Sequence, residues 1–226
     1  MKTRPGKRPV KVLVIDVGGT HVKILATGQS ERRVIPSGPE MTAAEMVRQV
    51  KQLAKGWRYD VVSIGYPGPA LHGHPVCEPF NLGRGWVGFN FRAAFGCPVK
   101  LINDAAMQAL GSYEGGRMLF LGLGTGLGSA MIVDGILEPM ELAHLAYKKG
   151  KTYEEWLGES ALERVGKKKW RRRVAEIVQA LSAALEVEYV VVGGGNARHL
   201  KEFPSNVRLG DNSNAFLGGF RLWNKG

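Results

Sequence analysis

Two stretches of this chain have the same shape, and together they restrict what it can fold into. Residues 11–27 read KVLVIDVGGTHVKILAT, and residues 118–133 read MLFLGLGTGLGSAMIV. Each is an apolar run, a glycine turn carrying a threonine, and a second apolar run. Aligned without a gap, Val14-Ile15 falls on Phe120-Leu121, Gly18 on Gly124, and Ile24-Leu25 on Ala130-Met131. Strand–turn–strand repeated in matching register predicts a duplicated fold with two loops facing one site.

The intervening residues predict an α/β architecture. ERRVIPSG reads as a third short strand. From Thr42, an N-cap, the spacing predicts a helix with Ala43, Met46, Val47, Val50 and Ala54 on one face. YDVVSIGYPGPA reads as a buried strand entering a Gly/Pro loop. The connection from Tyr66 to Phe89 lacks a regular period, and long irregular loops are often functional. PVKLI is a further strand, and NDAAMQALGSYEGG a helix ended by glycine. After the second hairpin come a polar helical region from Thr152 and a long helix with an apolar stripe of Trp170, Val174, Ile177, Val178, Leu181 and Leu185. YVVVGGGNARHL repeats strand, glycine turn and helix, and NSNAFLGGFRLW is a helix started by Asn. These elements place the domain division near Asn103: residues 1–103 in one unit, joined by the helix over 213–226, and residues 104–212 in the other.

Composition limits the classes. The 226 residues suffice for one large domain or two small ones. The apolar run after the basic residues 1–9 is interrupted by Asp16, so it is not expected to be a signal peptide, and no stretch reaches the length of a membrane span. Two cysteines, Cys77 and Cys97, suit a reducing cytoplasm better than a disulfide framework or a four-cysteine zinc site. The net charge of +11 calls for a polyanionic partner or a role in solubility. Nucleic acid is not the expected partner, because no zinc-finger or RNP-like pattern occurs and the short segment before the first strand leaves no room for a helix-turn-helix.

Gly18, Gly19 and Thr20 leave backbone N–H groups unobstructed, as an approach to phosphate oxygens requires. Asp16, just before them, places a carboxylate within reach of a phosphate-bound metal ion. Gly124, Thr125 and Gly126 repeat the pattern, and Gly193, Gly194 and Gly195 form a third turn. Each alone could be a simple chain reversal, but three in one chain favour phosphate binding. Asn103 or Asp104 is an N-cap on spacing alone. The functional alternative makes Asp104 a general base for a hydroxyl nucleophile. Glu141 and His144, followed by Glu154 and Glu155, lack the partners for zinc; they suit either a salt-bridged surface or hydrogen bonds to sugar hydroxyls. His72, His74 and His199 have no partner pattern.

The fragments DVGGTHVK, IGYPGPA, NLGRGW, INDAAMQAL, LGLGTGLGSA, ELAH and GGGN occur in the order and spacing of the ROK sugar kinases, and the chain most resembles their polyphosphate glucokinase branch. The resemblance spans almost the whole chain. It implies two ribonuclease-H-like domains around a cleft, the actin-like or hexokinase-like ATPase fold. It implies a cytoplasmic glucokinase that transfers a phosphoryl group from polyphosphate, ATP or both, with Mg²⁺, to the glucose 6-hydroxyl. Asp104 matches the catalytic base, and Asn81, Asn103, Glu141, His144 and Glu154 match sugar-binding positions, with Glu155 one step from Glu154. Asp16, Gly18, Gly19 and Thr20 match the first phosphate loop, with Asp16 holding Mg²⁺ directly or through water. Gly124, Thr125 and Gly126 match the second loop, and Gly193, Gly194 and Gly195 the nucleotide-side turn. A homodimer is compatible with the family. The chain departs from it in lacking any cysteine after Cys97, so structural zinc is not expected. Ala143 replaces a usual glycine, connections are shortened around Gly166 and after Leu200, and the DNA-binding domain of ROK repressors is not expected. A non-catalytic sugar sensor or a nucleic-acid-binding protein on the same fold are the rival readings.

KKKWRRR, Lys167 to Arg173, gathers six cations at the start of the long helix, where the helix dipole disfavours them. The spacing turns Trp170 inward and leaves Arg171 to Arg173 and the lysines outside. They form either a solvated face or a track for polyphosphate through Lys167, Lys168, Arg171 and Arg172, leading towards the Gly124–Gly126 loop.

Overall fold

The computed structural model describes residues 8–201 and 204–224. Most of the basic segment 1–9, and the last two residues of the 213–226 segment, lie outside the described residues. The fold is built on two five-stranded sheets of the same order. In the first, β1 (Val12–Val17), β2 (His21–Ala26) and β3 (Arg33–Pro36) form an antiparallel meander. The helix α1 (Ala43–Leu53) then crosses to β4 (Val61–Tyr66), parallel to β1. A small hairpin of β5 (Ala70–Leu71) and β6 (His74–Pro75) and the short helix α2 (Phe91–Phe95) precede β7 (Val99–Asn103), parallel to β4. The order is β3-β2-β1-β4-β7. After α3 (Asp104–Ser112) the pattern repeats with β8 (Arg117–Leu123), β9 (Leu127–Val133) and β10 (Ile136–Met140). Next come α4 (Tyr153–Leu157), α5 (Glu159–Ala184), β11 (Tyr189–Gly193) and β12 (Val207–Leu209), in the order β10-β9-β8-β11-β12. Helix α6 (Asn214–Arg221) follows.

Central strands must be apolar on both faces, because helices cover both. All six residues of β1 and of β4, and all five of β11, are buried. Helices α1 and α2 bury one face of the first sheet through Met46, Val47, Phe91 and Phe95. Helix α5 buries the outer face of the second through Trp170, Val174 and Ile177. Between the sheets lie α6, packed on Val12 and Val14, and α3, whose Ala105, Ala106 and Ala109 pack on Phe120, Ala130 and Val191.

Helices α3 and α6 meet at backbone distance. A methyl group on Gly111 would stand 1.8 Å from the Asn214 carbonyl oxygen, and one on Gly218 would stand 1.8 Å from that of Met107. The buried Ser63 ties the same region together: its Oγ donates to Gly219 O (2.6 Å) and accepts from Trp223 Nε1 (2.9 Å).

The structure corrects several expectations. Helix α3 is not ended by glycine: Tyr113 terminates it in an extended conformation, and Ser112 Oγ donates to Gln108 O (2.9 Å). Strands β10 and β12 were not expected; Pro139 and the three-residue length of β12 hide their periodicity. The C-terminal helix ends at Arg221, short of residue 226. The third glycine turn leads into a 3₁₀ helix, Gly195–His199, not an α-helix. The two hairpins match in their strands but differ by one residue in pairing. Val17 pairs with Val22, whereas Leu123 pairs with Leu127, so the second turn is tighter and Thr125 sits at its tip. Helix α5 is broken at Gly166 (φ 73°), and KKKWRRR starts its second segment.

Gly111→Ala is expected to cost about 2–4 kcal/mol or to prevent folding, because a backbone carbonyl cannot yield to the new methyl group. Gly195→Ala, where no atom lies within 4 Å, is expected to stay within about 0.5–1 kcal/mol of the parent chain. Denaturant unfolding of both variants checks the contrast.

Candidate active site

Parallel strands deliver their following loops to one edge of a sheet, the position where open α/β sheets bind ligands. In the first sheet, Asp16 pairs with Gly65, Gly65 with Ile102, and Tyr66 with Asn103. The first glycine turn, the Gly/Pro loop and the Asn103-Asp104 pair therefore open side by side. In the second sheet, Gly122 pairs with Gly193, which brings the Gly124–Gly126 and Gly193–Gly195 turns together. Asn196, buried, locks those two turns: its Nδ2 donates to Gly124 O (3.1 Å). Gly194 (φ 83°) lies so close to β8 that a methyl group there would stand 2.4 Å from Leu123 O.

Asn103 and Asp104 divide the work at the start of α3. Asn103 is the cap: its Oδ1 accepts from Ala106 N (3.1 Å), and its Nδ2 donates to Gly68 O (3.1 Å). The Asp104 carboxylate accepts from Ala105 N (2.7 Å). The residue keeps some exposed surface, yet protein around the carboxyl removes most of its hydration. That burial, then the charge of Asp16 and more weakly that of Glu141, push its pKa up from 3.8 to about 7, against the opposing hydrogen bond from Ala105 N. Gly65 makes room for the turn: a methyl group there would stand 3.5 Å from Asp104 Cα and 2.4 Å from Met107 Cε.

Asp16 is buried (9% exposed), with Lys23 Nζ 3.3 Å from its Oδ2. Asn81 lies against the first turn; a methyl group on Gly19 would stand 3.0 Å from its Cβ. Gly18 N donates to His21 O (3.0 Å), and Ser37 Oγ donates to Gly18 O (2.6 Å).

Ser129 fixes the segment that carries Glu141. Its Oγ donates to Met140 O (3.0 Å) and accepts from Leu142 N (3.1 Å). Glu141 lies 3.9 Å from His144 Nε2. Burial raises the Glu141 pKa, His144 opposes that shift, and the nearby Glu154 reinforces it. Glu154 and Glu155 separate clearly. Glu155 closes a capping box with Thr152, accepting from its backbone N–H (2.8 Å). Glu154 turns to the second loop, where its Oε2 accepts from Leu127 N (3.2 Å). The charges of Asp16 and Glu141 thus reach Asp104, and that of Glu154 reaches Glu141.

The basic run lies beside the 3₁₀ helix that follows the third glycine turn. Arg171 Nε donates to His199 O, and Lys167, Arg198 and Arg171 add to burial in lowering the His199 pKa. Lys167, Lys168 and Arg172 are exposed. Arg173 does not stand outside as the spacing predicts; its guanidinium covers the Trp156 ring at 4.1 Å. Among the described residues no helix is long and apolar enough to cross a membrane. His72 and His74 are exposed. Lys23, Ser129, Asn196 and Arg198 are the site-forming residues that the sequence reading left out. The first three lie inside the quoted fragments but work through contacts distant in sequence.

No profile of a known protein family matches the chain. A polyphosphate glucokinase of Mycobacterium tuberculosis is 30% identical over 207 residues, covering 81% of this chain and 77% of that protein. The chain belongs to the ROK family of sugar kinases, near the polyphosphate glucokinase branch. Among solved structures, the polyphosphate/ATP-glucomannokinase of Arthrobacter sp. strain KM superposes with a TM-score of 0.81. It is 24% identical and covers 94% of this chain and 98% of that one. A ROK glucokinase of Streptomyces griseus, in complex with glucose and AMPPNP, gives a TM-score of 0.73 at 17% identity over 94% and 98% of the two chains. Both share the fold of this sugar kinase: two sheets of like topology in the actin-like, hexokinase-like arrangement.

The second glycine turn is open at Gly124. A methyl group on Gly124 would meet no atom within 4 Å, and its backbone is not in the left-handed region. Gly124→Ala is therefore expected to keep or slightly raise stability, by up to about 1 kcal/mol. It is also expected to raise the KM of the phosphoryl donor roughly tenfold, because the methyl group enters the space a phosphate would occupy. Melting curves with donor kinetics check this; unchanged kinetics in the stable variant would make the turn a simple chain reversal.

Proposed function

We propose that this kinase transfers the terminal phosphoryl group of inorganic polyphosphate or ATP to the 6-hydroxyl of glucose, with Asp104 as general base. The observation that carries the reading is the division of labour at the start of α3. Asn103 caps the helix, which leaves the Asp104 carboxyl out of the cap, its pKa pushed up to about 7. A base poised near the working pH combines the ionised form with a useful affinity for the proton. In the transfer, the hydroxyl oxygen attacks phosphorus, its proton passes to Asp104, and the bond to the leaving phosphate oxygen breaks. The products are the sugar phosphate and either ADP or a polyphosphate one unit shorter. Catalysis of this kind is mostly positioning and electrostatics.

Glu141, His144 and Glu154, with Asn81 and Asn103, form the sugar side of the reading. Glu154 is preferred over Glu155 because the capping box engages the latter. Gly18, Gly19, Thr20, Gly124, Thr125 and Gly126 offer backbone donors to the transferring phosphate, and Gly193 to Gly195 border the rest of the donor. The division into residues 1–103 with the last helix, and residues 104–212, follows the two sheets and belongs to the same proposal.

Mg²⁺ favours one or two carboxylates completed by phosphate oxygens and water. Asp16, at the mouth of the first turn with Asp104 nearby, fits that demand. No group of three or more His, Cys, Asp or Glu side chains forms a protein-only cage among the described residues. Bound there, Mg²⁺ would neutralise donor charge. A long polyanion is favoured as a donor by the cations beside the third turn, where Arg198 joins Lys167, Lys168, Arg171 and Arg172.

Asp104→Asn is expected to fold and to lower kcat roughly 10²–10⁴-fold, the range of a positioned base. In the parent enzyme, protonation removes the base, so kcat/KM for glucose is expected to fall as pH drops below about 7, and this fall is expected to vanish in the variant. Near-normal turnover in Asp104→Asn would remove the assignment. In the same assays, Lys168→Gln with Arg172→Gln is expected to weaken polyphosphate use more than ATP use, the difference shrinking as salt rises.

A further inference from the structure

The segment carrying Glu141, His144 and Glu154 has little regular structure, yet it is held from two sides. It folds back on itself: Tyr147 N donates to Lys151 O (2.8 Å), Tyr153 N to Leu145 O (3.1 Å) and Glu154 N to Ala143 O (3.0 Å). Ala146 and Thr152 form an isolated bridge between its two limbs. Ser129 pins the near end to β9. The far side is aromatic. Tyr147 and Tyr153 stack with centroids 4.7 Å apart, and Trp156 stands edge-on to Tyr147 at 5.7 Å.

Two residues of α5, three apart and so on one face, close over this group. The Arg173 guanidinium covers the Trp156 ring at 4.1 Å. Glu176 accepts from Tyr147 OH (3.1 Å) and pairs with Lys148. Trp156 Nε1 donates to Lys148 O (3.1 Å), which returns the ring to the folded-back segment. Arg173 differs from its neighbours in the basic run: its Nε is buried without a hydrogen-bond partner among the described residues. A buried donor left unpaired opposes folding, and the ring face is the contact that offsets it. A cation meant only for solvent or for a surface polyanion would not be packed in this way.

We propose that Trp156 and Arg173 are positioning residues for the sugar side of the cleft. Their stack sets the angle at which the 141–154 segment presents Glu141, His144 and Glu154. The proposal rests on the assignment of those three residues to the sugar. It separates Arg173 from the exposed cations of the same helix: Arg172 would act on the donor, and Arg173 on the acceptor.

The test compares full-length Trp156→Ala, Trp156→Phe, Arg173→Gln and Glu141→Ala below their melting temperatures. Trp156→Ala and Arg173→Gln are expected to raise the glucose KM roughly five- to tenfold, with kcat and donor KM within about twofold. Trp156→Phe, which keeps a ring face under the guanidinium, is expected to recover most of the loss. Amide hydrogen exchange over residues 143–154 is expected to quicken in the first two variants and to stay near the parent rate in Trp156→Phe. If Trp156→Ala does not fold, Arg173→Gln, which leaves the ring in place, carries the test. An unchanged glucose KM in both stack variants, while Glu141→Ala raises it, overturns the proposal and leaves the sugar assignment standing. No effect of Glu141→Ala overturns the assignment, and the proposal falls with it. Exchange over 143–154 that does not respond in either stack variant overturns it independently of activity.

Discussion

The backbone-distance packing of α3 fixes the relation between the two sheets and, with it, the position of the candidate base. Gly111 and Gly218 admit α6 on one side, Gly65 admits Met107 and the start of α3 to β4, and Gly128 admits Ala105 to β9, where a methyl group would stand 2.6 Å from the Ala105 Cβ. Three glycines therefore surround one helix, and a fourth, Gly111, lies within it. None of them is required by a left-handed backbone; each is required by the lack of space for a side chain. Close-packed surfaces of this kind transmit position with little slack. Asp104, the first residue of α3, is thus referenced to both sheets at once, and so to the glycine turns on either side of the cleft.

That placement carries an electrostatic cost. Buried Asp16 adds its charge to that of Asp104, and Glu141, more exposed, acts on Asp104 more weakly and is itself influenced by Glu154; among the described residues Lys23 pairs with Asp16 and His144 with Glu141. Stability alone does not favour such an arrangement. A sugar kinase gains from it, because a carboxylate with an elevated pKa can take a proton from an alcohol, while a divalent ion and the sugar hydroxyls satisfy the others. A group of cations lies elsewhere, on the exposed face of α5 and around His199.

Much of this was legible in the sequence because it rests on local periodicity. The buried β1 and β4 runs, the Thr42 cap, the α1 face and the Trp170 stripe all follow from spacing of 2 or 3.6 residues. The repeated hairpin indicated the doubled sheet. What spacing could not supply was pairing between distant segments. Residue type and spacing do not distinguish Asn103 from Asp104 as the cap; the folded chain does, with Asn103 Oδ1 on Ala106 N and its Nδ2 held by Gly68 O. Glu154 and Glu155 differ only once Thr152 selects one of them for its capping box. Arg173 looks like its neighbours until Trp156 is folded beneath it. Strand β12 is too short to announce itself and is defined by its parallel partner, β11. The one-residue difference between the two hairpins was hidden because both turns are rich in glycine.

Identification of the product tests the account most directly. The purified chain would be incubated with glucose and Mg²⁺, with either ATP or inorganic polyphosphate as donor, and the products followed by phosphorus NMR. The account predicts a new phosphomonoester signal coupled to the methylene protons of the sugar's sixth carbon, formed with at least one donor. Phosphate on another sugar carbon, or bound glucose with no transfer from either donor, would contradict it.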